Sequence, residues 1–211
     1  MTKLLGLTVK SGAPVGAIVS LLLVTSCVGD TTPDPDLVAN KACGGISPAA
    51  ASSLQEITET DEFEYRWDSS VARLLKKALK EPGQEEWNEL LACEIFPQQP
   101  EGSEGVSKIS ILFEELSALP PSEDDLLGQV TYPIALRATA NDGNAQIYFS
   151  CDLTGNSSAG ENRSVVYGEL VYRPRDRKED PRPGNVKVLQ DISSKIAKSM
   201  GCERGGDIPK V

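Results

Sequence analysis

The chain has 211 residues, 39% hydrophobic and 25% charged, enough for one domain with segments to spare and too few for two. Twenty-one Lys and Arg stand against 31 Asp and Glu, a net charge of −10, which argues against a nucleic-acid binder that meets phosphates with a positive surface. Histidine is absent, and with it go Ser-His-Asp and Cys-His nucleophiles, His-ligated zinc and any pH switch centred near neutrality.

Residues 1–26 read as an address, not a fold. Lys3 and Lys10 give a basic start, no acid follows, and Ala17 to Val24 form an apolar run broken only by Ser20. This is the pattern of a secretory signal peptide. The run is well short of the ~20 residues that span a bilayer as a permanent helix. At its end, Leu23-Val24-Thr25-Ser26-Cys27 resembles a bacterial lipobox, with an apolar residue three before the cysteine and two small residues between. The resemblance implies lipidation of the Cys27 thiol and cleavage after Ser26. Loss of Lys3 and Lys10 then leaves 19 basic against 31 acidic residues, a charge of −12. Such a body is repelled by anionic lipid, so the acyl chains must do the anchoring.

Lipidation also explains an odd cysteine count. With Cys27 set aside, Cys43, Cys93, Cys151 and Cys202 are an even set, suited to two disulfides in an exported chain. Four cysteines allow three connectivities. Pairing of nearest neighbours, Cys43–Cys93 and Cys151–Cys202, is preferred. Each closes a loop of about fifty residues, worth roughly 4 kcal/mol by chain entropy.

Residues 27–42 carry the lipidated cysteine and an acidic, Pro-rich tether. An extracytoplasmic domain follows over 43–203, and 204–211 read as a loose tail. Ser47-Pro48 offers a cap and a first-turn proline, with Ala50, Leu54 and Ile57 on one helical face. Asp68 or Ser69 can cap a second helix carrying the stripe Val71, Leu74, Leu75, Ala78 and Leu79, which Pro82-Gly83 ends. A third helix is expected from Glu85 to about Cys93, with Trp87, Leu90 and Leu91 on one side. Beyond Gly105 the period changes to two. Ile109, Ile111 and Phe113 alternate with polar partners, and Val130 to Ala138 reads as one strand that Pro133 confines to an edge or a bulge. Asn141-Asp142-Gly143-Asn144 is a hairpin turn. The return strand sets Ala145, Ile147, Phe149 and Cys151 against Gln146, Tyr148, Ser150 and Asp152. Ser164 to Tyr172 is a further strand, and Val188 or Leu189, Ile192, Ile196 and Met200 stripe a last helix ending at Gly201. The expected class is α+β, an antiparallel sheet of about four strands with helices packed on one face and two disulfides.

Motifs for chemistry are few. Acids cluster at Glu59 to Glu64, Glu85-Glu86, Glu114-Glu115 and Glu123-Asp124-Asp125. They read as solvated surface, although two facing carboxylates can cleave glycosides and a cluster can hold calcium. Arg173, Arg175, Arg177 and Lys178, with Arg182 beyond, form a basic loop after a strand, the candidate site for an anionic ligand. Ser193-Ser194-Lys195 lacks the Ser-x-x-Lys spacing of a serine–lysine hydrolase. Neither catalytic residues, a metal nor a cofactor is implied.

The lipobox, the Pro/Asp/Thr tether, the Cys43-Gly44-Gly45-Ile46-Ser47 start with its Ala-rich helix, and the four later cysteines together resemble small actinobacterial lipoproteins of unassigned function. The resemblance implies a location, anchored on the outer face of the cytoplasmic membrane, and no substrate. The expected function is a non-catalytic binding or interaction module of the cell envelope, partnered by an envelope protein or a wall polymer and not by nucleic acid. The alternative is an envelope hydrolase working with carboxylates only.

Overall fold

Seven strands pair in one antiparallel sheet: β1 (Phe63–Trp67), β2 (Leu90–Pro97), β3 (Ile109–Leu116), β4 (Val130–Tyr132), β5 (Arg137–Ala140), β6 (Asn144–Ser150) and β7 (Val165–Tyr172). Their spatial order is β1-β2-β3-β7-β6-β5-β4, so the last strand enters the middle. The computed structural model describes residues 38–80, 89–99, 105–121, 128–153, 164–173, 179–202 and 206–210, all within one compact unit, Thr32–Val211. That unit also contains a 3₁₀ segment (Ala39–Gly44), α1 (Pro48–Thr58), α2 (Val71–Ala78) and α3 (Arg182–Met200).

Period-two patterning sorts the two faces of the sheet. Ile109, Ile111 and Phe113 of β3, Ala145, Ile147 and Phe149 of β6, and Val166 and Leu170 of β7 are buried on one side. They meet α3, which lies against β5, β6 and β7, while α1 and α2 pack on α3. Gly168 lies opposite both Phe113 and Ile147. A Cβ there would stand 2.7 Å from Phe113 Cε1 and 3.2 Å from Ile147 Cγ2. The glycine therefore makes the space in which Phe113 is wholly buried.

The start of α1 and the end of α3 follow their sequence signals, whereas α2 is capped by neither Asp68 nor Ser69: its N-cap is Ser70, with no side-chain cap hydrogen bond. Ser47 Oγ accepts the Ala50 N–H at 3.2 Å and Pro48 occupies the first turn, which satisfies one of the orphan donors of α1. Val71, Leu75 and Ala78 of α2 face the core, whereas Arg73 and Lys77 are exposed. Val188, Leu189, Ile192, Ile196 and Met200 of α3 are buried, and Gly201 ends the helix at φ 80°, a conformation that favours glycine. Cys43 joins Cys93 with Cα atoms 5.5 Å apart, tying the 3₁₀ segment to β2. Cys151 joins Cys202 at 4.7 Å, tying the end of β6 to the end of α3.

Several expectations are corrected. The sheet has seven strands rather than about four. The third helix does not reach Cys93. Residues 81–88, with Trp87, lie outside the described residues, and Leu90–Pro97 is β2, with a register shift between Leu91 and Cys93. Leu90 and Leu91 suit a helical face, but Cys93 and Ile95 alternate inward, and pairing with β3 decides the outcome. The single strand expected over Val130 to Ala138 is two strands folded on each other, β4 on β5. The chain turns at Pro133–Leu136, where Ala135 takes φ 55°. Phe63 and Glu64, within the acidic run read as solvated surface, open an edge strand, Phe63–Trp67, whose Phe63 is wholly buried. Packing starts before Cys43, since Ala39 and Ala42 are buried and Val38 bridges Glu62. The tail is docked as well: Ile208 is buried and Gln190 Nε2 donates to the Pro209 carbonyl at 2.9 Å.

Candidate functional site

The three described helices lie on one side, so the other face of the sheet carries the outward residues of the central strands. Register aligns them in rows across the strands. Arg137 of β5 stands opposite Tyr148 of β6, Tyr148 opposite Tyr167 of β7, and Tyr167 opposite Glu114 of β3. The next row is Thr139, Gln146, Glu169 and Leu112.

These side chains are held by one another. The Arg137 guanidinium lies 4.3 Å above the Tyr148 ring centre and donates through Nη1 to the Pro120 carbonyl at 3.0 Å. A cation over an aromatic face is attracted by the ring quadrupole. The Tyr148 and Tyr167 rings are 5.0 Å apart and tilted by 37°. Asn144 Nδ2 donates to Glu169 Oε1, and Gln129 Nε2 donates to Thr139 Oγ1 at 2.8 Å. Burial, and then the Glu169 carboxylate, push the Tyr167 phenol far above its ordinary range, so it stays protonated and a hydrogen-bond donor. Burial, seconded by Glu89, also raises the Glu114 carboxyl; burial, seconded by Glu114, raises that of Glu115. Glu114 and Glu169 occupy diagonal positions across β3 and β7, a relation that puts Cα atoms about 7–8 Å apart.

The residues expected to form an anion site are only partly placed. Arg173 is exposed directly after β7, while Arg175, Arg177 and Lys178 lie outside the described residues. Arg182, counted with them in the sequence, is structural. Its Nε and Nη2 meet Asp180 at 2.7 and 3.0 Å, and its Nη1 donates to the Gly128 carbonyl at 3.2 Å. The Arg182 hydrogen bond holds the Asp180 carboxyl below its ordinary range. Cys27, Glu85-Glu86 and Glu123-Asp124-Asp125 also lie outside the described residues. Among those described, no three His, Cys, Asp or Glu side chains gather to hold a metal ion, and no helix is long and apolar enough to cross a membrane. Ser193 is buried inside α3, and Lys195 pairs with Asp191 at 3.3 Å. Asp191 Oδ2 also accepts the Ser47 N–H at 3.2 Å.

Strand alternation alone placed Gln146 and Tyr148 on the outward side. The Arg137–Tyr148–Tyr167 row was missed because it depends on which strands are neighbours, and the entry of β7 beside β6 leaves no local signal. No protein-family model, curated protein or solved structure matches this chain.

Proposed function

We propose that this chain is an extracytoplasmic lipoprotein of the small actinobacterial kind, held through Cys27 on the outer face of the cytoplasmic membrane. Its work is non-catalytic binding. The observation that carries this reading is the row in which half-buried Arg137 and Tyr167 flank the buried Tyr148 ring, with half-buried Gln146 and Glu169 beside them, on strands whose other face is packed by the helices. Guanidinium, phenol, amide and carboxylate groups fixed on a rigid sheet suit a hydroxyl-rich polymer better than an apolar peptide. The partner is accordingly the glycan of a wall polymer. Arg173, with Arg175, Arg177 and Lys178, is the candidate contact for its anionic groups.

The test is cosedimentation with insoluble wall material. Tyr167→Phe, which keeps the ring and removes the hydroxyl, and Gln146→Ala are expected to lower retention at nearly unchanged thermal stability. Reversal of Arg173, Arg175 and Arg177 to Glu is expected to remove the salt-sensitive part. Retention unaffected by both sets of changes would overturn the reading. A carboxylate-only hydrolase has the diagonal pair Glu114 and Glu169 in its favour. Shortening of the polymer on incubation, abolished by Glu114→Gln, would establish that activity instead.

A further inference from the structure

The ten residues Val71–Lys80 contain no acid, in a chain where acids outnumber bases. Arg73, Lys76, Lys77 and Lys80 recur at i, i+3, i+4 and i+7, an arc of about 100° at 3.6 residues per turn. The opposite arc is Val71, Leu75 and Ala78, all buried. Lys80 stays in register past the end of α2, its N–H bonding the Lys77 carbonyl at 3.0 Å. Exposed Lys198 lies on the last turn of α3, against which α2 packs. Lys76 reaches the same end of α3, since a Cβ on Gly201 would stand 3.6 Å from Lys76 Nζ. Asp68, whose carboxyl is lowered chiefly by hydrogen bonds with Ser70, also feels Arg73 of this group. Among the described residues, Lys76, Lys80 and Lys198 form no ion pair.

We propose that this outward face of α2 docks on anionic phospholipid headgroups of the membrane that holds the chain. The helix layer then turns toward the lipid, and the opposite face of the sheet turns outward to its polymer. The inference rests on the lipid-anchor reading. Charge complementarity favours it, because Arg73, Lys76, Lys77 and Lys80 share one outward arc of an otherwise acidic body and present a local positive potential to an anionic surface. Reach favours it too: eleven residue steps separate Cys27 from Val38, at most about 40 Å when extended. A domain of this size has a radius of gyration of roughly 15 Å, so the body stays within its own length of the bilayer. At that effective concentration a weak attraction suffices to set orientation. Apolar side chains are missing from the outward arc, so contact stops at the headgroups.

Residues 27–211 contain the whole folded unit, and Cys27 is the one cysteine outside its two disulfides. The experiment couples the Cys27 thiol to a maleimide lipid in vesicles of phosphatidylcholine, with or without phosphatidylglycerol. Lysines are acetylated briefly and read by mass spectrometry. Lys77 and Lys80 are expected to react severalfold more slowly on the anionic vesicles, with Lys187 and Lys210 unchanged. High salt, or Arg73→Glu combined with Lys198→Glu, is expected to restore their labelling. Equal labelling on both vesicles, or protection of Lys187 instead, would overturn the proposal. Protection by soluble polyphosphate but not by phosphatidylglycerol would overturn it in favour of a dissolved polyanion. Chemical coupling replaces the natural acyl chains, so failure here leaves the anchor itself untouched; loss of the anchor is read separately, from fractionation of Cys27→Ser in cells.

Discussion

Gly168 shows how one missing side chain shapes the centre of the sheet. Its neighbours Phe113 and Ile147 already fill the space a Cβ needs, and the backbone on both sides is paired to β3 and β6. Gly168→Ala is therefore expected to cost about 1–3 kcal/mol by overpacking, lowering Tm by roughly 2–10 °C. An unchanged melting temperature would mean that Phe113 yields without loss. Glu114 and Glu115 act through charge. Their carboxyls are raised in the folded state, chiefly by burial, so ionisation opposes folding above those raised values and the penalty fades as pH falls through them. Glu114→Gln should accordingly stabilise the protein at pH 7, as followed by denaturant unfolding. The gain should vanish under acid, where the parent carboxyl is already neutral. Asp68 runs the other way: hydrogen bonds from Ser70 lower its carboxyl, so its contribution is present at neutral pH and lost only as pH falls through that lowered value.

Elements are joined by a few buried polar groups, and α3 depends on one of them. Asn185, wholly buried in its first turn, donates through Nδ2 to the Asn141 carbonyl at 3.1 Å. The Tyr172 hydroxyl lies 2.7 Å from the Asp142 carbonyl and 3.2 Å from Asn185 Oδ1. This links the β5–β6 hairpin and the end of β7 to the helix. Asn185→Leu should cost about 1–3 kcal/mol by leaving those partners unsatisfied, and amide exchange should accelerate first at Asn141 to Asn144. The hairpin turn, the Ser47 cap and the α3 stripe were legible in the sequence because each is a local signal. The β1 edge strand was not. The acids Glu62 and Glu64 mask the fact that Phe63 is buried in the core, with Tyr65 and Trp67 packed against it. For β2, adjacent Leu90 and Leu91 suit either period, and only a register shift against β3 reconciles them with Cys93. The break between β4 and β5 was half visible, since Pro133 was recognised as an interruption while the reversal at Ala135 was not. The cationic arc of α2 was fully present in the sequence.

At the scale of the whole molecule, the disulfides hold the fold, and on the proposed reading the Cys27 lipid would hold the position. Each disulfide closes a loop of about fifty residues, worth roughly 4 kcal/mol of chain entropy. Reduction should therefore lower Tm sharply, and the oxidised folded unit should resist alkylation at Cys43, Cys93, Cys151 and Cys202. Position is a separate balance. Each buried acyl methylene contributes about 0.8 kcal/mol, whereas a lysine or arginine near an anionic surface contributes about 1 kcal/mol and loses it to salt. The cations Arg73, Lys76, Lys77 and Lys80 would thus be outweighed by two or three acyl chains on Cys27, and further opposed by the −12 charge of a chain cleaved after Ser26. Retention should follow Cys27 and orientation should follow α2. Cys27→Ser is expected to move the chain to the soluble fraction, or to leave it as an uncleaved precursor in the membrane. Reversal of Arg73, Lys76, Lys77 and Lys80 to Glu is expected to leave the processed chain in the membrane fraction, and to speed acetylation of Lys198 on intact protoplasts. If that reversal alone releases the protein, the cations and not the lipid hold it; if Cys27→Ser is processed and retained like the parent, no lipid is attached there.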